Sequence, residues 1–203
     1  MSIQTFRDLF STHHPTLLDA RARYAVLVPL VEKDGQLCLL YEVRAAGMRR
    51  QPGEVCFPGG RMEPGEDAVT CAVRETAEEL GIDPAHIEIL GELDFLYMRN
   101  NSLLYPVLAK LENTEHLTYN PEEVADTFAV SLDWLRSHPP TVYRQDLMPR
   151  LDDFPYEEVG IPSDYRWVPE PMEIPIYHGL PHPLWGMTAR ITRWLLKQTE
   201  HNT

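Results

Sequence analysis

Glu75, Glu78 and Glu79 carry the sequence's clearest chemical signal. At i, i+3 and i+4 on a helix their carboxylates crowd one flank. Like charges so placed each destabilise a helix by a few tenths of a kcal/mol. A hard divalent cation reverses that penalty, because magnesium and manganese prefer oxygen ligands. The candidate ligands of Mg2+ or Mn2+ are therefore Glu75, Glu79 and Glu78, joined by the carbonyl oxygen of Gly60. Arg74 can fork onto a neighbouring carboxylate and hold it. Pro58-Gly59-Gly60 allows a close backbone approach to a ligand, which makes Gly59 a candidate substrate contact. Glu66 stands where a carboxylate favours the start of a helix.

These residues need a helix and a loop to hold them. The pattern predicts a helix from about Asp67 to Leu80, stopped by a left-handed Gly81, with Val69, Val73, Thr76 and Leu80 facing inward. Ahead of it, Tyr24–Val31 and Leu37–Val43 read as strands joined through Asp34-Gly35, and Glu54–Phe57 as a short strand. Phe6–Phe10 suggests an opening helix. Strands are expected near Ile87–Met98 and Leu103–Leu111, with a turn at Asn100-Asn101. Pro121–Val124 and Ser131–Leu135 read as short helical turns, the second capped by Ser131. The proline-rich stretch 139–183 predicts strands at Thr141–Arg144 and Met172–Tyr177, and a last helix spans about 184–198. With no repeat and no linker, residues 1–203 are expected to form a single α/β domain.

A Glu78-Glu79 pair alone is ordinarily a solvated helix face. Seven fixed positions, Gly60, Glu66, Arg74, Glu75, Glu78, Glu79 and Gly81, are another matter; average residue frequencies give such a match in roughly one chain per million. Gly60 to Ile82 resembles the Nudix box, G-x5-E-x7-R-E-U-x-E-E-x-G-U, departing only at Thr76, where a bulky aliphatic is usual. The resemblance implies an α/β/α sandwich with a mixed sheet and metal-dependent attack of water on a diphosphate. It implies that Glu75 and Glu79 are the principal metal ligands and that Glu78 is either a further ligand or the base.

The segment before the box bears on the substrate. Arg49, three residues, Gly53, three residues and then Phe57-Pro58-Gly59-Gly60 is similar to the motif of coenzyme A pyrophosphatases. That motif opens Leu-Leu-Thr-x-Arg-Ser or Ala, whereas Leu40-Tyr41-Glu42-Val43-Arg44-Ala45 lacks the second leucine and the threonine. Leu184-Trp185-Gly186-Met187-Thr188-Ala189-Arg190 resembles a stretch in that group's final helix; residues 139–180 match nothing placed. The resemblance implies hydrolysis of coenzyme A or acyl-CoA to 4′-phosphopantetheine and adenosine 3′,5′-bisphosphate. Coenzyme A carries a 3′-phosphate besides its diphosphate, so cations beyond the metals are needed. Arg44, Arg49 and Arg50 supply them, with Gly53 permitting close approach. The rivals are a Nudix pyrophosphatase for ADP-ribose, a dinucleotide or a damaged nucleoside triphosphate, and a nucleotide-sensing domain without chemistry. The intact carboxylates speak against the last. His178 and His182, in a proline-rich loop, read as structural.

Composition narrows the class. Hydrophobic residues are 43% and charged residues 24%, as in an ordinary globular protein. The net charge of -13 argues against a nucleic-acid polymer as partner, yet leaves room for a small phosphorylated substrate beside bound cations. Cys38, Cys56 and Cys71 lack zinc-site spacing and read as reduced core residues. No long apolar run predicts a membrane span. No export leader is visible and His201-Asn202-Thr203 is not a peroxisomal tail, so a cytoplasmic address is expected. Whether the chain forms a homodimer stays open.

Overall fold

Each end of the glutamate-bearing helix is written into the residues beside it. Asp67 is extended and its side chain accepts from the Thr70 N–H at 2.7 Å, capping the first turn. Gly81, at φ 63°, ends the last one; a side chain there would meet Thr118. The computed structural model describes residues 1–13 and 16–200, so the expected C-terminal tail feature at 201–203 lies outside the described residues.

In chain order the elements are α1 (Ile3–Phe10), β1 (Ala22–Lys33), β2 (Gln36–Arg44), β3 (Val55–Cys56), β4 (Gly59–Arg61) and α2 (Ala68–Leu80). There follow β5 (Ile87–Glu92), β6 (Leu96–Met98), β7 (Ser102–Leu111), β8 (Val124–Ser131) and α3 (Leu132–Ser137). The chain closes with β9 (Thr141–Leu147), β10 (Glu170–Tyr177), β11 (Leu184–Trp185) and α4 (Gly186–Glu200). They form two compact units, one of residues Met1–Val31 and Phe57–Asn120, the other of Glu32–Cys56 and Pro121–Thr203.

In the first unit β1 and β7 run parallel, from Ala22 opposite Ser102 to Leu30 opposite Lys110. β4 adds to β1 antiparallel, pairing Ala25 with Gly60 and Val26 with Gly59. β5 and β6 both pair antiparallel with β7, so the sheet is mixed, as expected. Consecutive residues Leu27 and Val28 are both fully buried, the mark of a strand covered on two faces. The expected single strand Ile87–Met98 is two, divided at Leu93, whose N–H donates to the Pro106 carbonyl. The buried stripe of α2 is Ala68, Cys71, Ala72, Thr76, Glu79 and Leu80; Val69 and Val73, expected inside, are only half-buried. Small side chains let the helix lie close to β4, which rotates the stripe away from the valines. Thr76 fits the interior because its hydroxyl donates to the Ala72 carbonyl at 2.7 Å.

In the second unit β2 lies between β3 and β8, with Glu42 opposite Cys56 on one side and Thr127 on the other. The turn into β2 uses Asp34 and Gly35 at φ 51° and 72°, the left-handed pair the Asp-Gly signal predicts. Residues 121–123 form a turn where one was expected at Pro121–Val124, but Val124 already opens the strand β8. Only Val124 and Val130 of this strand are buried, so its apolar pattern is faint and its identity comes from pairing with β2. β9, β10 and β11 form a second antiparallel sheet. β11 takes Leu184 and Trp185, so α4 begins two residues later than predicted, at Gly186, which turns the chain at φ 64°. α4 is tied to this unit by Thr192, hydrogen-bonded to the buried Tyr41 hydroxyl at 3.0 Å. Thr188 donates to the Val55 carbonyl, also at 3.0 Å.

Candidate active site

α2 presents its glutamates in three different environments. Glu79 is 5% exposed, and its Oε2 accepts the Gly59 N–H at 2.7 Å. The Glu75 carboxyl lies directly against Gly60, where any Cβ would collide with it. The Glu78 side chain is 60% exposed, touched by Arg74 only at 3.4 Å. Two carboxylates are thus drawn to the Gly59-Gly60 turn while the third stands outward.

Arg74 organises the group. Its Nε and Nη2 fork onto Glu66 Oε1 and Oε2 at 2.9 and 3.1 Å, and its Nη1 reaches Glu75 Oε1 at 2.8 Å. The Glu63 N–H adds a bond to Glu66 Oε2 at 2.8 Å. Arg74 foremost, then that backbone donor, hold the Glu66 carboxyl at a pKa of about 2. Glu66 in turn pushes the Arg74 guanidinium further up from an already high value. Arg74 is therefore a fixed cation that aims Glu75, and Glu66 is what fixes it.

Gly59 has a structural reason that the sequence does not show. At φ 152° its hydrogen faces the Ala25 carbonyl and Val26 of β1, leaving no space for a side chain. The Gly60 carbonyl, expected as a metal ligand, has the Cys71 thiol 3.8 Å away. Neither that contact nor the Gly59–Glu79 bond is legible in the spacing of the motif, since both depend on how α2 packs on β4.

The arginine segment belongs to the second unit. Arg44, half-buried at the end of β2, donates from Nε to the Arg50 carbonyl at 3.4 Å. The Arg44 carbonyl accepts from Gly53 at 3.0 Å and its N–H donates to the Glu54 carbonyl, also at 3.0 Å, closing the loop between them. Arg49 and Arg50 are exposed. Gly53, at φ 73° with open space around it, is demanded by backbone conformation rather than crowding. His182 pairs with Asp126 at 3.2 Å and packs on the Phe128 ring at 5.3 Å. All three cysteines are free thiols, and burial pushes Cys71 up to about 12.

The NUDIX domain profile matches residues 21–151, more than half the chain. The chain belongs to the Nudix family. It is 36% identical over 133 residues to the peroxisomal coenzyme A diphosphatase NUDT7 of Mus musculus, which covers 65% of this chain and 56% of that one. It is 37% identical over 140 residues to Nudix hydrolase 3 of Caenorhabditis elegans, covering 66% and 58%. The chain thus spans a little over half the length of these two relatives. To the mitochondrial coenzyme A diphosphatase NUDT8 of Mus musculus it is 33% identical over 198 residues, covering 96% of this chain and 86% of the relative.

The Nudix helix suits a hard divalent cation by its donor set. Glu75 and Glu79 bring carboxylate oxygens to one turn, and Glu78 adds another on the exposed flank. Among the described residues no three acidic, histidine or cysteine side chains already converge around one point. Such an arrangement fits Mg2+ or Mn2+ held by one or two carboxylates, with water and substrate phosphate completing the shell. Among the same residues no helix is long and apolar enough to cross a membrane.

Proposed function

We propose that this Nudix protein hydrolyses the diphosphate of coenzyme A or acyl-CoA to 4′-phosphopantetheine and adenosine 3′,5′-bisphosphate. The observation that carries the reaction is the arrest of two glutamates at one glycine turn, Glu79 by the Gly59 N–H and Glu75 by Arg74, beside a third exposed at the surface. The relatives named coenzyme A diphosphatases support the substrate.

In this reading Glu75 and Glu79 would hold Mg2+ or Mn2+, and the Gly60 carbonyl would be a further donor on the same turn. A bound cation would neutralise phosphate charge and lower the pKa of water. Glu78, the least restrained of the three, takes the proton of the attacking water or completes the metal shell; its exposure leaves it free to swing toward either. Arg74 keeps the Glu75 carboxylate aimed without itself titrating, because the Glu66 fork locks it charged. Arg44, Arg49 and Arg50 bind substrate phosphate, with Gly53 shaping the loop that carries them and Gly59 the catalytic turn. The 203 residues act as one catalytic domain at a cytoplasmic address, though two of the relatives are named peroxisomal and mitochondrial. Fluorescence imaging of the tagged chain in its own cell reads that address.

The test incubates purified protein with coenzyme A, ADP-ribose and NADH in Mg2+ or Mn2+ and identifies products by mass. Release of 4′-phosphopantetheine at the highest kcat/KM supports the proposal. Preferential cleavage of ADP-ribose or NADH would keep the Nudix chemistry and discard the substrate.

A further inference from the structure

Glu42 is a buried carboxylate with no place in the mechanism above. It is 1% exposed, on the central strand of the second unit, and it stands where the similar coenzyme A motif has threonine. Its Oε1 accepts the Cys56 thiol at 3.0 Å, while its Oε2 has no hydrogen-bond partner among the described residues. An acid so placed costs stability that an apolar residue would not. Its neighbours say what it does there. Glu42 and Cys56 are paired across β2 and β3 and so share a face of the sheet, and Arg44, two residues along β2, shares it too. Arg44 Nη1 points at Cys56 Sγ, 4.0 Å away. The order is a guanidinium N–H directed at sulfur, and the S–H directed at a carboxylate.

We propose that Glu42 and Cys56 are positioning residues for Arg44, turning its guanidinium so that the remaining N–H groups meet a phosphate of the substrate. Glu42 Oε1 fixes the thiol rotamer by accepting its S–H hydrogen bond, and the thiol then offers sulfur lone pairs to Nη1. The only other bond from the guanidinium is the long one to the Arg50 carbonyl, and Nη2 has no acceptor among the described residues. A planar fork held at one edge presents the other edge to an anion. The charged or titratable groups acting on Glu42 are Cys56 on β3, Arg44 on its own strand and Glu123 before β8. Burial pushes the Glu42 carboxyl up to about 7, while the Cys56 thiol and Arg44, the one cation of the group, pull it back down. Cys56 remains a thiol, because burial and the neighbouring Glu42 push it up.

This inference rests on the reading of Arg44 as a substrate contact, and the experiment separates the two. Steady-state kinetics with coenzyme A are measured on the full chain carrying Glu42→Leu, Cys56→Ala, Cys56→Ser, Arg44→Ala, or Glu42→Leu with Arg44→Ala. E42L, which removes the acceptor, and C56A each raise KM about tenfold with kcat changed less than twofold, the size of one weakened charge-assisted contact. C56S, whose hydroxyl still donates to Glu42, restores KM to within about threefold of the starting protein, and the double variant has the KM of R44A. If R44A raises KM but E42L and C56A do not, Arg44 is held without them and the inference is overturned while the substrate contact stands. Multiplying effects in the double variant, or an effect of E42L with none from C56A, overturn the route through sulfur. If R44A leaves KM unchanged, the substrate contact fails and the inference with it. Should E42L not fold, the C56A and C56S pair decides alone.

Discussion

The Gly59 N–H donates to Glu79 Oε2 across 2.7 Å, tying the loop that begins the Nudix box to the carboxylate near its end. The neighbouring glycine meets Glu75 instead, and the two positions fail differently. Gly59→Ala drives a methyl into the β1 backbone and should lower Tm by about 10 °C. Gly60→Ala displaces only the end of the Glu75 side chain, so Tm moves by about 3 °C or less while kcat falls about a hundredfold. Thermal scans beside kinetics check the pair; equal loss of Tm in both would sink the distinction.

Glu78→Gln keeps size and removes charge from an exposed side chain, leaving Tm unchanged. Turnover should drop by about two to four orders of magnitude if it takes the proton of water. An unchanged rate removes Glu78 from the mechanism.

The Glu66 carboxyl is depressed from 4.5 to about 2. A depressed acid stabilises the fold fully above its unfolded pKa, and that contribution is lost as pH falls through the folded value. The Tm difference between the native chain and Glu66→Gln should therefore be constant above about pH 5 and shrink toward zero near pH 2. Calorimetry across that window checks the sign; a difference that grows on acidification would show that Arg74 does not hold Glu66 in solution.

Arg49→Ala should raise KM for coenzyme A about tenfold or more and leave dephospho-coenzyme A, which lacks the 3′-phosphate, nearly unchanged. Equal effects on both substrates would move Arg49 to the diphosphate instead.

Removing divalent cations with EDTA should abolish turnover, and added Mg2+ or Mn2+ should restore it. In Glu75→Gln and Glu79→Gln the concentration of cation needed for half-maximal activity should rise. Full activity in EDTA would end the metal reading.

The sequence by itself determined the helix α2 and the glutamates it carries. Asp67, Gly81 and the three glutamates act through spacing on one continuous element, and local chemistry settles such features. It also determined the Asp34-Gly35 turn, because two left-handed residues in a row admit few alternatives. Tertiary structure decided which face of the helix is buried, since the approach to β4 favours Ala68, Cys71 and Ala72 over the valines. It decided that β8 is a strand, because pairing with β2 outweighs a weak apolar pattern. It also decided that Glu42, Cys56 and Arg44 share one face, a fact of register between strands that spacing along the chain does not encode.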